Sequence, residues 1–391
     1  MENKNENRIP KIALIAVFCA VLFTLFVLML ALPKHAGEIS PLEFRALASH
    51  PIKGKTAEKL ETNIITGQFT KDVDKFLEDH FPGRSFLIAL DSYYTRLTGR
   101  NADKSVVWGK NGRLFDAPLE TDYEQADKNA AMIDRFAEAN GLDAVFVVVP
   151  SSSVLCESEL PLLHLDYHDA ELQAHIAGVS GARVPDLIGL YSAAGDCSPY
   201  FYRTDHHWTM DGAYLCYSEL CGMLGEEPVS KDAFSVEGYD FRGSYYRKAG
   251  LWLTEPDVLE IWRAPQLEAA EVTIGAGESA VKHTGVYDGE KLEPGEVDRY
   301  AAYLYSNNGI TVINNPEGNG RSLMIVKDSY GNSIAPLLAM NYSNIVMIDT
   351  RYYREFFPMP SEFVREYGID KLLVVMGGDS VTANSMLVYL R

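Results

Sequence analysis

The residues best suited to chemistry lie together in the stretch Asp205-His206-His207-Trp208. Asp205 and His207 are two positions apart, and in an extended or turn segment residues at i and i+2 point to the same side. A carboxylate can then orient an imidazole and stabilise its protonated form, which is half of a hydrolase-type triad. We therefore expect a nucleophile on a sharp turn elsewhere in the chain.

Ser329 is the candidate nucleophile. It follows an apolar strand pattern, and Tyr330-Gly331-Asn332 then makes the turn into a helix. Gly331 allows an unusual backbone angle, and a helix N-terminus places N–H groups near an oxyanion. A serine hydroxyl needs a nearby base, which His207 can supply. The alternative role for a serine after a strand is a helix cap.

A metal site is the alternative interpretation of the same stretch. It would use Asp205, His206, His207 and Asp211, but no third well-spaced ligand is found elsewhere in the sequence. We therefore predict no metal and no cofactor. His206 points to a different side from His207, so it is expected to contact the oxyanion or the substrate rather than to share one centre; a lone histidine can also be a hydrogen-bonded core residue. Trp208 is most simply a core residue, with sugar stacking as a second role, and Asp211 is expected to cap or open the following helix.

Alternating strands and helices must position these residues. The pattern predicts strands at 143–149, 187–190, 322–326, 344–348 and 371–375 and helices at 122–139, 169–177, 210–224, 333–340 and 361–366. Such alternation favours a parallel sheet sandwiched by helices, with ligands at the carboxyl ends of the strands. Ser151, Ser329, Asp349 and Asp379 follow predicted strands, so they are expected to share one face.

Three further segments have sequence patterns that differ from this alternation of strands and helices. Residues 68–98 have a helical pattern, which Phe81-Pro82-Gly83-Arg84 interrupts before a second helix at 85–97. Residues 106–115 predict a β-hairpin, because Asn-Gly suits a tight turn. Residues from about 230 to 315 are rich in aromatic, glycine and β-branched residues, and we expect a strand-rich insertion there.

The N-terminal segment predicts a membrane anchor. Residues 12–32 carry no charge, and their 21 residues span about 31 Å as a helix, enough to cross a bilayer core. Basic residues precede the segment, so the positive-inside rule places residues 1–11 in the cytoplasm. A linker at 33–64 and one extracytoplasmic domain at 65–391 would follow. A cleaved signal peptide, which would make the protein secreted, is the alternative.

The charge of the chain limits the classes of partner that it can bind, and its cysteines bear on the compartment in which it folds. The 391 residues are 47% hydrophobic and carry a net charge of −19, which repels nucleic-acid phosphates, so no nucleic-acid partner is expected. Four cysteines would be extracytoplasmic, where disulfides can form, although spacing leaves both their pairing and the buried-thiol alternative open. These cysteines are Cys156, Cys197, Cys216 and Cys221.

Two groups of residues carry a resemblance to a known family. Asp205-His206-His207-Trp208 matches the signature of the DHHW family, which is similar to the AlgX/AlgJ-like SGNH-type polysaccharide O-acetyltransferases. Residues 81–84 and 109–115 resemble N-terminal elements of that family. The resemblance covers about 65–391, except 230–315, and implies an SGNH-hydrolase-like, flavodoxin-like fold.

The resemblance also implies roles for individual residues. Asp205 is the expected triad acid, His207 the base and Ser329 the nucleophile, in the order that this family uses. Tyr330 falls on the tyrosine that follows the family's serine. The sequence before the serine differs from the family's Gly-Thr-Ser-Tyr-Ser element, which leaves two candidates for the oxyanion donor: the backbone N–H of Tyr330 and the side chain of Asn332.

Ser380 is the rival nucleophile, because Gly377-Gly378-Asp379-Ser380 resembles the nucleophile block of GDSL-type hydrolases. That block normally lies near the start of its domain with an Asp-x-x-His pair near the end, whereas here it is almost terminal and no such pair follows. A helix cap is its alternative role. Ser151, Ser152 and Ser153 are expected to be loop or substrate-facing hydroxyls.

The family resemblance implies a membrane-anchored, extracytoplasmic O-acetyltransferase that modifies a cell-surface polysaccharide through an acyl-serine. Its expected partners are the glycan and a multi-spanning membrane acyltransferase that supplies the acetyl group. An esterase with the same triad and a non-catalytic glycan-binding or scaffold protein are the alternatives. The acidic composition gives no attraction to an anionic glycan.

Overall fold

The structure, a computed structural model, describes residues 8–38, 40, 46–103, 105–118, 120–383 and 387–390. Its contacts divide the chain into two units. The first unit comprises residues 1–100 with 247–252, and the second comprises residues 101–246 with 253–391.

The first unit is helical. Its helices are α1 (Arg8–Ala31), α2 (Ala57–Ile65), α3 (Gln68–Asp79) and α4 (Arg84–Leu97). The break between α3 and α4 lies where the sequence predicted it, and Gly83 precedes α4 with φ of 70°, which favours glycine. Residues 57–65, expected to be part of a linker, instead form α2, because the Thr56 side chain accepts the Lys59 N–H and caps it.

Helix α1 contains a segment long and apolar enough to cross a membrane. This segment, Pro10–Ala31, has 22 residues and a mean hydropathy of 3.0. Length and composition alone support the membrane prediction, and a signal sequence would pass the same test.

The second unit contains three sheets. Its strands are β1 (Ala102–Asp103), β2 (Val106–Trp108), β3 (Leu114–Asp116), β4 (Asp143–Val149), β5 (Ser235–Phe241), β6 (Asp257–Arg263), β7 (Glu271–Ile274), β8 (Val281–Thr284), β9 (Ile310–Asn314), β10 (Ser322–Lys327), β11 (Asn344–Ile348) and β12 (Lys371–Gly377). Strands β1–β3 form one small sheet, β5 and β6 form another, and the remaining seven form the central sheet.

Helices surround the central sheet. They are α5 (Tyr123–Asn140), α6 (Ser152–Leu155), α7 (Asp169–Val179), α8 (Leu187–Ala194), α9 (Met210–Leu224), α10 (Ser244–Ala249, which continues into the first unit), α11 (Pro265–Ala269), α12 (Tyr330–Ala339), α13 (Pro360–Tyr367) and α14 (Gly378–Thr382). Short 3₁₀ turns lie at Glu157–Glu159, Lys231–Ala233, Gly277–Ser279, Gly289–Leu292 and Arg299–Ala302.

The central sheet is mixed rather than parallel throughout. Its order is β4-β12-β10-β11-β9-β7-β8, in which β4, β12, β10 and β11 are parallel and the last three strands pair antiparallel. The reason is the length of the connections. Only 275–280 separate β7 from β8 and only 315–321 separate β9 from β10, whereas a parallel crossover needs about a dozen residues or more.

Both faces of the parallel half are buried. In β10, Leu323 and Ile325 belong to the hydrophobic cluster on one face, and Met324 and Val326 belong to the cluster on the other. This explains the unbroken apolar run in the sequence, because alternate side chains of a strand enter different cores. Helix α12 packs into the first cluster, and all ten of its residues are buried.

Two predicted elements are corrected. Residues 187–190 begin helix α8 instead of forming a strand, because the Asp186 side chain caps the helix by accepting the Gly189 N–H at 2.9 Å. A single parallel bridge between Arg183 and Val145 occupies that edge of the sheet. Helix α12 begins at Tyr330, three residues before its predicted start, so Ser329 lies directly at its N-terminus.

Residues 230–315 are strand-rich, as predicted, but three of their strands, β7, β8 and β9, extend the central sheet. The predicted hairpin at 106–115 is confirmed by the antiparallel pairing of β2 with β3. Asn111 and Gly112 both have positive φ at its turn, as a tight turn requires.

One disulfide joins Cys156 to Cys197, with their Cα atoms 5.6 Å apart. Cys216 and Cys221 are buried free thiols on α9. The expected disulfide is therefore found for one pair of cysteines, and the alternative of buried thiols holds for the other pair. The bridge closes a loop between residues 41 positions apart, so it restricts the unfolded chain.

We predict that replacing Cys156 and Cys197 by serine lowers the free energy of unfolding by about 2–4 kcal/mol, because the unfolded chain regains the freedom of that loop. Denaturant unfolding of the detergent-solubilised chain measures this loss. Reductant should destabilise the wild type and leave the double variant unchanged. Equal sensitivity of both proteins to reductant would contradict the assignment of the bridge.

Candidate active site

The structure brings Asp205, His207 and Ser329 into one hydrogen-bonded row. The His207 Nε2 atom lies 2.8 Å from Ser329 Oγ, and His207 Nδ1 lies 2.5 Å from Asp205 Oδ1. Asp205 and His207 are buried, at 3% and 5% exposure, whereas Ser329 is half-buried. The arrangement has the connectivity of an acid that orients a base beside a nucleophilic hydroxyl.

Ser329 is held at the junction between a strand and a helix. β10 ends at Lys327, and Ser329 has helical backbone angles immediately before α12. Gly331 is required by a close approach, since a Cβ atom there would lie 2.6 Å from the Lys327 Cβ. The sharp turn therefore projects the serine from the carboxyl end of a central parallel strand.

Asp328 holds this turn in place through hydrogen bonds. Its carboxylate accepts the Tyr330 N–H at 3.0 Å and the Gly377 N–H at 2.8 Å, which ties the turn to the end of β12. Burial raises the pKa of Asp328, and the Ser380 hydroxyl partly offsets this effect. Ser380, the rival nucleophile, is 6% exposed, and its interaction with Asp328 supports the turn that carries Ser329.

Asp205 is fixed by backbone groups as well as by the imidazole. Its Oδ1 atom accepts the His207 N–H at 3.0 Å, and its Oδ2 atom accepts the Ser244 N–H at 2.6 Å. Burial acts to raise the pKa of Asp205, but His206, His207 and the hydrogen bonds outweigh it and hold the pKa well below its usual range. The carboxylate is thus charged at neutral pH.

The His207 ring lies between two other rings. Tyr300 stacks on one side with ring centroids 3.8 Å apart and planes 11° apart, and the His206 centroid lies 3.7 Å away. The Tyr300 hydroxyl donates to the Ser329 carbonyl at 3.2 Å, so one side chain contacts both base and nucleophile turn. Sequence reasoning missed Tyr300, because nothing distinguishes it from the other aromatic residues of 230–315.

Two further hydrogen bonds join the stretch at 205–208 to α12. The Tyr330 hydroxyl donates to the His206 carbonyl at 2.8 Å, and Trp208 Nε1 donates to Ser333 Oγ at 2.7 Å. Trp208 is fully buried, so its predicted sugar-stacking role is wrong and its core role is confirmed. Tyr330 likewise acts here through its side chain.

Neither predicted oxyanion donor is available in this arrangement. The Tyr330 N–H donates to Asp328, and the Asn332 amide donates to Asn307 while its oxygen accepts Lys327 Nζ at 2.5 Å. Asn332 is drawn into the buried group around Lys327 because that ammonium needs acceptors, and burial lowers the pKa of Lys327.

The four-residue metal arrangement is not assembled. Ligand atoms of Asp205, His206 and His207 lie within 4.8 Å of one another. Both His207 nitrogens nevertheless face hydrogen-bond partners, and Asp211 pairs with Lys231. The predicted cap of α9 is also corrected: Thr209, not Asp211, accepts the Gly212 N–H.

Of the other residues expected on this face, Ser151 and Asp379 line a cavity that also reaches His206 and Tyr330. Asp349 instead pairs with Arg351 and lies 3.4 Å from Lys327 Nζ. Asp349 is fully buried, so it is unavailable to a ligand.

We predict that Gly243→Ala lowers the hydrolysis of p-nitrophenyl acetate by about 100-fold, since a misplacement of about 1 Å has that effect. The added Cβ would lie 2.2 Å from the Asp205 Cβ and 2.7 Å from its Cα, which forces the acid to move. Gly289→Ala is the matched control, because nothing lies within 4 Å of its Cβ position. Equal rates for the two variants would contradict the positioning of Asp205.

We also predict that His206→Gln flattens the dependence of stability on pH. His206 is half-buried, and this partial burial, followed by the neighbouring His207, lowers the pKa of His206 from its ordinary 6.5. The unfolded chain then binds this proton at higher pH than the folded chain, so the unfolding free energy rises with pH up to about 6.5.

Denaturant unfolding between about pH 5 and pH 7.5 measures this effect, and the slope of the unfolding free energy against pH should fall in the variant. Glutamine keeps a polar atom near the Ser244 hydroxyl, which lies 3.0 Å from His206 Nδ1. An unchanged slope would show that His206 titrates alike in both states.

Parts of this chain match known family models and relatives. The family model described as DHHW protein matches residues 193–348, and that of the SGNH hydrolase-like domain of acetyltransferase AlgX matches residues 106–239. A probable alginate O-acetylase AlgJ of Pseudomonas syringae is 29% identical over 184 residues, which are 43% of this chain and 45% of that relative. A second AlgJ, from Azotobacter vinelandii, is 26% identical over 213 residues, or 49% of this chain and 53% of the relative. The chain thus spans about half the length of these curated relatives.

Solved structures support the fold. A DHHW family protein from Eubacterium siraeum has a TM-score of 0.61 at 19% identity and covers 74% of this chain and 95% of its own. Bacillus cereus PatB1 has a TM-score of 0.60 at 18% identity and covers 71% and 97%. Residues 193–348 therefore match the DHHW family model, residues 106–239 match that of the SGNH hydrolase-like domain of AlgX, and the fold is similar to that of a solved DHHW family protein.

Proposed function

We propose that this protein is an SGNH-type O-acyltransferase that transfers an acetyl group to a cell-surface polysaccharide through Ser329. The observation that carries the proposal is the continuous row from Asp205 through His207 to Ser329, with contacts of 2.5 and 2.8 Å. The named AlgJ relatives support acetyl transfer as the reaction class.

The first half-reaction forms an acetyl-serine. Ser329 Oγ attacks the carbonyl carbon of the acetyl donor while its proton passes to His207 Nε2, and Asp205 stabilises the resulting imidazolium. The stacked Tyr300 ring adds a cation–π contact to that charge. His207 then returns the proton to the departing group as the donor bond breaks.

The second half-reaction uses the same groups in reverse. A sugar hydroxyl replaces the departing group, loses its proton to His207 Nε2 and attacks the acetyl carbon. The bond to Ser329 Oγ breaks, and the serine recovers the proton. No net charge is created, and the product is an O-acetyl sugar.

The backbone N–H of Ser329 is the best candidate for stabilising the oxyanion. The next three N–H groups donate to Asp328 or to the Ser329 carbonyl. Within the described part of the chain, the Ser329 N–H has no such partner. A donor on the nucleophile itself lies close to the developing charge.

The proposed location is the outer face of a membrane. The apolar helix Pro10–Ala31, the basic residues before it and the disulfide Cys156–Cys197 support an anchored, extracytoplasmic domain. Acetyl donors would then reach the site from a multi-spanning membrane acyltransferase, which is the partner we propose.

Hydrolysis of the acetyl-serine is the second candidate function. Ser329 is half-buried rather than enclosed, so water can compete with the sugar hydroxyl. The same three residues would then serve an esterase.

We predict that Ser329→Ala lowers acetate release and acetyl transfer from p-nitrophenyl acetate at least about 10³-fold, because the nucleophile is lost. The matched control is Ser192→Ala, an exposed serine on α8. Release and transfer are followed with p-nitrophenol absorbance and mass spectrometry of a neutral oligosaccharide.

The products separate the candidates. O-acetyl sugar supports the transferase, and acetate alone supports the esterase. Activity that persists in Ser329→Ala, or absence of turnover in the wild type with any acetyl ester, would contradict the proposed function and favour a binding or scaffold protein.

A further inference from the structure

A cavity of about 90 Å³ lies beside the row of Asp205, His207 and Ser329 and reaches it through two residues. His206 and Tyr330 line the cavity, and each is the immediate chain neighbour of a residue in that row. The His206 and Tyr330 ring centroids are 5.8 Å apart. The cavity is therefore placed to hold a molecule that receives a group from the candidate nucleophile.

The lining of this cavity is acidic. Three carboxylates contribute, Asp116 at the end of β3, Asp169 at the start of α7 and Asp379 in α14, and its described lining includes neither lysine nor arginine. Like charges penalise an anionic ligand, and a carboxylate accepts hydrogen bonds from hydroxyl or ammonium groups.

The polar groups of the lining are set in a fixed frame. The Tyr245 hydroxyl donates to Asp116 Oδ2 at 2.8 Å, and the Ser151 N–H donates to Asp169 Oδ1 at 2.6 Å. Burial raises the pKa of Asp169, and the N–H and hydroxyl of Ser151, also in the lining, act to lower it. Asp116 and Asp169 are therefore each held in place by a neighbouring residue of the lining.

Aromatic walls complete the cavity. Tyr167, Tyr245 and Tyr330 line it together with the carboxylates. Aromatic faces with a few oriented polar groups suit a ligand that has both C–H faces and hydroxyl groups, as a sugar ring does.

We propose that this cavity binds the acceptor sugar and selects one without a carboxylate, with an amine-bearing hexosamine preferred over a uronate. The proposal rests on the proposed function for its role in acetyl transfer. It separates this chain from its AlgJ relatives, whose name gives alginate, a polyuronate, as the substrate. The net charge of −19 acts in the same direction.

Binding is measured without an acetyl donor, by calorimetry in about 0.15 M salt, with three tetrasaccharides as probes. They are tetra-glucosamine, tetra-N-acetylglucosamine and tetra-galacturonate. We expect tetra-glucosamine to bind at least about tenfold more tightly than tetra-galacturonate, with the neutral probe between them.

Asp379→Asn tests whether the cavity sets this order. It should reduce the tetra-glucosamine to tetra-galacturonate preference about threefold or more, because one of three lining charges is removed. Glu366→Gln, an exposed acid on α13 that does not line the cavity, should leave the preference unchanged. Asp116→Asn, which keeps an oxygen for the Tyr245 hydroxyl, provides a second cavity variant.

Equal or tighter binding of tetra-galacturonate would overturn the proposal, as would an equal effect of Asp379→Asn and Glu366→Gln. No detectable tetra-glucosamine binding at about 10 mM would overturn it too. The proposed function fails separately. If the wild type only hydrolyses acetyl esters and acetylates none of the probes, the transferase assignment is lost while the binding order still tests the cavity.

Discussion

The hydrogen bonds between the first turn of α12 and the stretch at 205–208 are the interaction on which the rest of the site depends. Ser329 meets His207, Tyr330 meets the His206 carbonyl and Ser333 meets Trp208. These segments lie 122 or more positions apart in sequence. Buried hydrogen bonds of this kind are costly to leave unmade, so they specify one relative position of the two segments.

The two halves of the central sheet contribute different parts of the site. The parallel half delivers the nucleophile, because Ser329 follows β10 and Asp328 ties its turn to the end of β12. The region at 230–315 supplies groups that hold the acid and base. The Ser244 N–H reaches Asp205, and Tyr300 stacks on His207. This region therefore contributes residues to the candidate site itself.

The sequence was most informative where spacing alone determines geometry. Asp205 and His207 could be paired because two positions along an extended segment share one side, and Ser329 could be proposed because an apolar run, a glycine and a helix pattern follow one another. The antiparallel half of the sheet was missed, since strands in 230–315 have irregular patterns whose partners only tertiary contacts decide. The role of Asn332 could not be predicted, because it depends on buried partners. Its amide hydrogen-bonds Lys327 and Asn307, a pairing that no local sequence pattern indicates.

The central claim is that His207 activates Ser329, and reaction with an aryl sulfonyl fluoride followed by peptide mass mapping tests it most directly. We expect a sulfonyl adduct on the peptide that contains Ser329 and its loss in His207→Gln, because the serine then lacks its base. An adduct on Ser380 instead, or labelling of Ser329 at the same rate without His207, would contradict the account.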